Sequence, residues 1–351
     1  MQIGVITNPH SRKNQGRPQR LEQLQAVVGD MGEVHQTSDT EAIKPVLREF
    51  LRKRARYWVA DGGDGSLHWM LRRGLEVLDE DEFRGMTLPL AVPTNGGSID
   101  FVAKNVGLSG SAEVILERLR DALEAGQQIE EVEVDSLRVE GIEVTDAGER
   151  PVKTLGFAVA GGGVGQRFFE KLFEAESHTS STMLSVIVKL FASYPVAYSP
   201  LRGLPGMPRL LKEYARDIFR PTPARVWIDG KLMAPEAFTG IHVAAMSINL
   251  GNILRYFHHA DTLGQLHAIV GAPSGREILA NVPRMITGGA FKASNSYDGP
   301  CKELVVEAQG DELLAPVIDG EAYPNLRRVS FSIGPRVRIP KVTGRSSTSR
   351  W

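Results

Sequence analysis

The chain has 351 residues, 42% of them hydrophobic and 24% charged, which is globular composition and excludes disorder of the chain as a whole. Its 41 Lys and Arg nearly balance 42 Asp and Glu for a net charge of −1, arguing against a protein that coats nucleic acid, and the single cysteine, Cys301, excludes a disulfide framework or a Cys-rich zinc site. No stretch approaches the roughly 20 apolar residues of a membrane span, and the first apolar run stops too soon for a secretory signal, so the expected setting is cytoplasmic, with or without contact to a membrane surface.

At about 150 residues per domain two domains are expected. In chain order, Ile3–Thr7 reads as a strand, and the stretch from Gly16 to about Val28, closed by Gly29, as a helix. Asp39 can cap a helix through Leu47, Phe50 and Leu51, although Pro45 blurs its start. Tyr57–Ala60 is the next strand, followed by Asp61-Gly62-Gly63-Asp64-Gly65-Ser66 and a helix from Leu67 to about Leu78. Leu88–Val92 then leads into Pro93-Thr94-Asn95-Gly96-Gly97-Ser98, and a helix covers about Ala112–Ala125. Strand, crossover helix and strand at this spacing predict an α/β domain over residues 1–128, a parallel sheet with flanking helices.

Beyond this point the texture becomes mainly β. Val132–Val139, Lys153–Ala160, Arg225–Ile228, His242–Met246, Leu304–Ala308 and Val329–Ile333 are strand-like, with Asp229-Gly230 as a turn. They predict a mainly antiparallel β-sandwich over residues 129–340, with a helical insertion at about 168–220 and a loose tail over 341–351. The adjacent pair His258-His259 reads as a solvated loop rather than a metal site.

The sharpest chemical feature is Gly62-Gly63-Asp64-Gly65-Ser66 between a strand and a helix. Glycines there let backbone N–H groups approach an oxyanion, and the helix start adds partial positive charge. Asp61 and Asp64 would repel a phosphate unless a divalent cation bridges them or one accepts a proton from an attacking hydroxyl, and phosphoryl transfer uses both devices. Spacing alone leaves open a tight surface turn, for which Gly and Asp are equally suited. A second turn, Asn95 to Asp100, and a third, Asn8-Pro9-His10-Ser11, follow other strands of the same sheet and would face one crevice. There is no G-x-x-x-x-G-K-[ST] loop, no complete dinucleotide fingerprint, no G-x-S-x-G elbow and no H-E-x-x-H.

Asn8-Pro9-x-Ser11, Gly62 to Ser66, Gly97-Ser98-x-Asp100 and Asp319-Gly320-Glu321 occur in the order and at the spacing of the lipid kinases. Over about residues 1–340 the sequence resembles the diacylglycerol, sphingosine and ceramide kinase family, nearest to a compact bacterial ceramide-kinase-like core. The resemblance implies ATP and Mg²⁺. It implies nucleotide contacts at Asn8, Ser11, Thr37, Gly62, Gly63, Gly65, Ser66, Gly97, Ser98 and Asp319, with Asp64 as base or metal partner and Glu321 as the alternative base. Gly97-Ser98-Ile99-Asp100-Phe101-Val102 is closer to the ceramide kinase form of the second loop than to the diacylglycerol kinase form, and places Asp100 toward the acceptor. Where the family has an acceptor-binding aspartate after a mid-chain strand, this chain has only Gly161-Gly162-Gly163, so that contact falls to another group such as Asp135.

A lipid acceptor lies in a membrane. Met183, Leu184, Ile187, Val188 and Phe191, followed by Tyr194, form an apolar cluster read first as core. Arg209, Lys212, Arg216 and Arg220 form a basic row beside Leu210, Leu211, Tyr214, Ile218 and Phe219, which suits either an anionic membrane surface or the solvated face of a docked helix. The seven basic and no acidic residues from Arg327 to Trp351 are a second candidate for that contact. The leading expectation is an ATP-dependent kinase of a ceramide or sphingoid-type lipid. A diacylglycerol kinase, a soluble NAD-kinase-like enzyme and a lipid-binding pseudokinase are the alternatives, and oligomeric state is not legible.

Overall fold

The computed structural model describes residues 1–97, 99–174, 182, 185–190, 192–193, 209–250 and 254–342. Residues up to Val134, with the segment from Arg336 on, form one compact unit, and Asp135–Pro335 form another.

In the first unit β1 (Ile3–Thr7), β2 (Gly32–Gln36), β3 (Tyr57–Asp61) and β4 (Leu90–Pro93) make a parallel sheet in the order β2-β1-β3-β4. Every residue of β1 and β3 is buried, as expected of continuous apolar runs with both sheet faces covered. The crossovers are α1 (Arg20–Val28), α2 (Ile43–Arg52) and α3 (Asp64–Leu78), followed by α4 (Phe101–Asn105) and α5 (Ala112–Glu124). Asp39 accepts the Ala42 N–H at 2.8 Å just before α2, and Pro45 falls in its first turn, where no N–H is needed. Strand order reverses between β1 and β3, so the turns leaving those two strands flank the switch point where ligands of such sheets bind.

The second unit is a β-sandwich. One sheet joins β10 (Lys231–Leu232), β9 (Thr222–Ile228), β17 (Glu303–Ala308), β20 (Leu326–Ile333), β6 (Leu137–Thr145) and β7 (Gly148–Gly156), with β11 (Ala237–Phe238) also on β9. The other joins β16 (Ser296–Cys301), β15 (Leu266–Gly271), β12 (Gly240–Ala244), β8 (Ala158–Gly163), β18 (Val317–Ile318) and β19 (Glu321–Ala322). Leu137, Val226 and Phe331 of the first sheet share a core with Val159, Ile241 and Leu266 of the second. Asp229 and Gly230 both adopt positive φ in the β9–β10 hairpin, as a two-residue turn of the primed type requires.

Two segments expected as single strands are each divided. Lys153–Ala160 breaks at Phe157, where the chain crosses from one sheet to the other and the Asp319 carboxylate accepts the N–H groups of Phe157 and Ala158 at 2.9 Å. Val132–Val139 breaks at Asp135-Ser136: β5 (Glu131–Val134) stays in the first unit and pairs antiparallel with β21 (Val337–Pro340), which returns from the far end of the chain.

The helical insertion holds α6 (Val164–Phe173) and a helix over Arg209–Ile218; two described α-helices lie outside the expectations, α4 and Gly275–Thr287, the latter opened by a Ser274/Glu277 capping box. Two apolar neighbours of the basic row turn inward: Ile218 and Phe219 are 0% and 6% exposed and pack with Leu190, Ala215, Val164 and Ile278. An amphipathic helix hides its apolar side in whatever apolar surface adjoins it, here the helix layer of its own unit. Arg216 and Arg220 remain exposed. Met183, Leu184, Phe191, Tyr194, the side chains of Arg209 to Lys212, and the tail from residue 343 lie outside the described residues.

His242 on β12 packs against Gly165 of α6 and Gly240, and desolvation there lowers its pKa from 6.5 to about 4. The unfolded chain takes up this proton below pH 6.5 while the folded one resists until about pH 4, so this contribution is complete above 6.5 and declines as pH falls toward 4. Denaturant midpoints measured across that window should fall with pH more steeply for the wild type than for His242→Gln.

Candidate active site

The site begins with a buried charge. Asp61, the last residue of β3, has no solvent exposure, and its carboxylate accepts Arg20 Nη2 at 2.7 Å, Arg20 Nε at 3.0 Å, Thr7 Oγ1 at 2.7 Å and Asn14 Nδ2 at 3.0 Å. Arg20, the first residue of α1, also binds Glu113 of α5. Burial opposes its charge, but hydrogen bonds and charges from Asp61 and Glu113 outweigh this and raise its pKa. Asp61 is therefore not available to a metal, contrary to the expectation that Asp61 and Asp64 could be bridged by one. Residue type alone contained a signal for this, because a carboxylate ending an all-buried apolar strand needs a cation. Arg20, Asn14 and Thr94 were not among the expected residues.

Around this pair three turns converge. Asn8 N–H donates to Asp61 O at 3.1 Å, Asn8 Nδ2 donates to Ser66 Oγ at 3.2 Å, and the Ser11 and Ser66 hydroxyls lie 3.2 Å apart. Thr94, at the end of β4, receives the Gly62 N–H on its hydroxyl at 3.1 Å, and Gly96 N–H donates to Gly62 O at 2.9 Å. Thr37 is buried next to the same edge, its N–H on Thr7 O at 3.1 Å. Asn8, Ser11, Gly62, Gly63 and Ser66 are thus brought together with Gly96 and Gly97.

The glycines have a steric reason. A Cβ on Gly63 would stand 2.7 Å from Gly97 Cα, and one on Gly96 would stand 2.7 Å from the Gly62 backbone, so the two turns touch main chain to main chain. A Cβ on Gly62 would meet Ser66 Oγ at 2.1 Å. Helix α3 starts at Asp64, earlier than expected, because Ser66 and Leu67 N–H groups both reach back to Gly63 O; Gly65 and Ser66 form its first turn. This is backbone shaped like an anion cradle, with Arg12, Lys13 and Lys104 close enough to bear on Asp100.

Asp64 accepts the N–H groups of Phe101 and Val102 at 3.1 and 3.2 Å, tying the start of α3 to the start of α4. Asp100 is 4% exposed, in a left-handed conformation, and accepts the Gly97 N–H at 2.8 Å; burial raises its pKa against the pull of that amide and the nearby cations. Ser98 lies outside the described residues.

The remaining candidates belong to the second unit. Asp319 and Gly320 both have positive φ and make the turn of the β18–β19 hairpin, with Glu321 opposite Ile318 and partly exposed. Asp319 thus also serves the corner at Phe157. Asp135 is buried and accepts the Gly264 N–H. The run Gly161–Gly163 cannot carry the family's aspartate at its end, because Gly163 has φ +68° and a Cβ there would lie 2.1 Å from Thr239 O.

Residues 2–132 match the family model of the diacylglycerol kinase catalytic domain. Among solved structures, a protein of Bacillus anthracis strain Sterne provisionally assigned as a diacylglycerol kinase is similar over 96% of both chains, at 15% identity and a TM-score of 0.59. A diacylglycerol kinase of the same strain is similar over 95% of this chain and 93% of its own, at 13% identity and 0.55. At these identities the likeness is one of fold. No curated protein matches the sequence. The match marks residues 2–132 as a kinase catalytic domain and the chain as an enzyme that transfers phosphate to an alcohol.

Gly63→Ala tests the contact between the turns. The added methyl meets backbone, which cannot rotate away, so a loss of about 1–3 kcal/mol in unfolding free energy is expected. Nucleotide affinity should fall with it, measured by calorimetry on the folded variant.

Proposed function

We propose that this enzyme transfers the γ-phosphate of ATP to a hydroxyl of a ceramide or sphingoid-type lipid. The observation that supports the nucleotide reading best is the interlock of Gly62-Gly63 with Gly96-Gly97, beside the Asn8 amide and the Ser11 and Ser66 hydroxyls. Neutral donors such as these suit the several oxygens of a polyphosphate. Asp64 stands at the start of α3 beside these turns, its carboxylate accepting the Phe101 and Val102 N–H groups. Mg²⁺ commonly takes one or two carboxylates and completes its shell with phosphate oxygens and water, so the donor set fits, with Asp64 as the protein ligand. When bound, the ion would offset charge on the transferring phosphate. In this reading Asp64 also receives the acceptor's proton, with Glu321 as the alternative base.

The ceramide-type acceptor is supported by the loop Gly97 to Val102, and the diacylglycerol reading by the match over residues 2–132. A membrane-borne acceptor needs no spanning segment: no helix among the described residues is long and apolar enough to cross a bilayer. The exposed Arg216 supports docking to an anionic surface, such a charge contributing on the order of 1 kcal/mol.

Labelled phosphate from γ-labelled ATP should appear in ceramide with a higher kcat/KM than in diacylglycerol, and not in NAD. Better use of diacylglycerol in matched micelles would reassign the acceptor, and no transfer to any lipid would remove the reading. Asp64→Asn should cut turnover by about a hundredfold or more while ATP binding persists. Near-wild-type turnover would shift the role to Glu321. Co-sedimentation with anionic vesicles should weaken with salt and with the paired change Lys212→Glu and Arg216→Glu, compared beside a chain ending at Pro340.

A further inference from the structure

We infer that Asn14 is a positioning residue for the nucleotide, a clamp that holds the turn after β1 against the turn after β3. The inference rests on the nucleotide reading above. The Asn14 side chain is 3% exposed, and its single amide nitrogen faces three oxygens: Asn8 O at 3.0 Å, Asp61 O at 3.1 Å and Asp61 Oδ2 at 3.0 Å. The first belongs to the turn that carries Asn8 and Ser11, and the other two to the residue from which Gly62 and Gly63 depart. All three are acceptors, which fixes the orientation of the amide. Its own oxygen is buried without a hydrogen-bond partner among the described residues. A buried acceptor left unmade is costly, so the side chain is held here for its donors.

Backbone bonds reinforce the placement. Asn14 N–H donates to Ser11 O at 2.8 Å, and the next residue, Gln15, donates to the same oxygen at 3.0 Å, so the clamp rides on a closed turn. Lys13 N–H reaches Gly96 O at 3.2 Å and links the same segment to the third turn. Without the Asn14 amide, Asn8 O keeps only the Ser11 N–H and Asp61 O only the Asn8 N–H, and the side-chain link from the first turn to the Asp61 carboxylate is lost. The turn after β1 would then move away from Gly62, and Asn8 and Ser11 would leave Ser66. Thr7 is the built-in comparison. It also donates to Asp61 Oδ2, at 2.7 Å, but from within β1, so it contributes to the buried pair without bridging the turns.

The test measures ADP binding by calorimetry well below the thermal midpoint of each variant, together with that midpoint. Asn14→Ala should raise the ADP Kd about tenfold, the equivalent of ~1.4 kcal/mol. Asn14→Ser, which restores one donor, should recover part of that loss. Thr7→Val should lower the midpoint yet leave the ADP Kd within about twofold. Unchanged ADP affinity in Asn14→Ala, or in Asn14→Ser should the alanine variant not fold, overturns the clamp. So does an equal loss of affinity in Thr7→Val, which would make the effect one of general stability. Absence of ADP binding by the wild type would instead sink the nucleotide reading on which the clamp depends.

Discussion

A carboxylate without solvent access must be neutralised where it stands, and at the end of β3 that demand falls on Asp61. Arg20 answers it with two hydrogen bonds from one guanidinium, and Thr7 and Asn14 occupy the remaining lone pairs. Such a pair adds little net stability over apolar packing, but losing one partner strands a buried charge at a cost of about 3–5 kcal/mol. Its value is geometric. Arg20 begins α1 and also holds Glu113 in the first turn of α5, so one charge fixes two helix starts and the exits of two strands.

From that anchored edge the rest of the site is made mostly of main chain. Gly62 and Gly63 lie against Gly96 and Gly97 closely enough that no side chain fits between them, and Thr94 fills the gap below with a hydroxyl that both gives and receives. A surface assembled from peptide groups is rigid in outline and rich in N–H donors, which suits ligands recognised by charge and shape more than by apolar contact. Side-chain chemistry is correspondingly sparse, and Asp64 stands out because its carboxylate spans from α3 to α4.

Much of this architecture was legible in the residues. Apolar β-branched runs followed by Gly-rich turns announce parallel strands feeding helices, because burial on both faces leaves little room for alternation in β1 and β3. The sandwich class was legible too. The corner at Phe157 was not, since the apolar run passes through the bend and the group that pins it, Asp319, lies far along the chain. Nor could the pattern of Tyr214, Ile218 and Phe219 say which apolar surface they meet, because periodicity encodes a face and not its partner. Asp319-Gly320 was readable as a motif, but its hairpin geometry depends on the pairing of Ile318 with Glu321. The Gly63 and Gly97 contact joins residues from separate crossovers, and no local spacing rule reveals it.

The pairing of β5 with β21 has a consequence for how the chain is made. Val134 meets Val337, so everything from Asp135 to Pro335 is, in topological terms, a domain inserted between two neighbouring strands of another. At ribosomal rates of about 5–20 residues per second, β5 waits roughly 10–40 s for its partner to emerge, with one edge unpaired throughout. By the time β21 emerges, the inserted sandwich has its own described strands through β20 and can complete itself first. Its completion also draws the two crossing points together, as Gly334 N–H bonds Ser136 O at 2.7 Å and the Ser136 hydroxyl bonds Pro335 O at 2.6 Å. β21 is thereby delivered to its place by a finished neighbour, and the first unit is closed only after the whole inserted domain has been made.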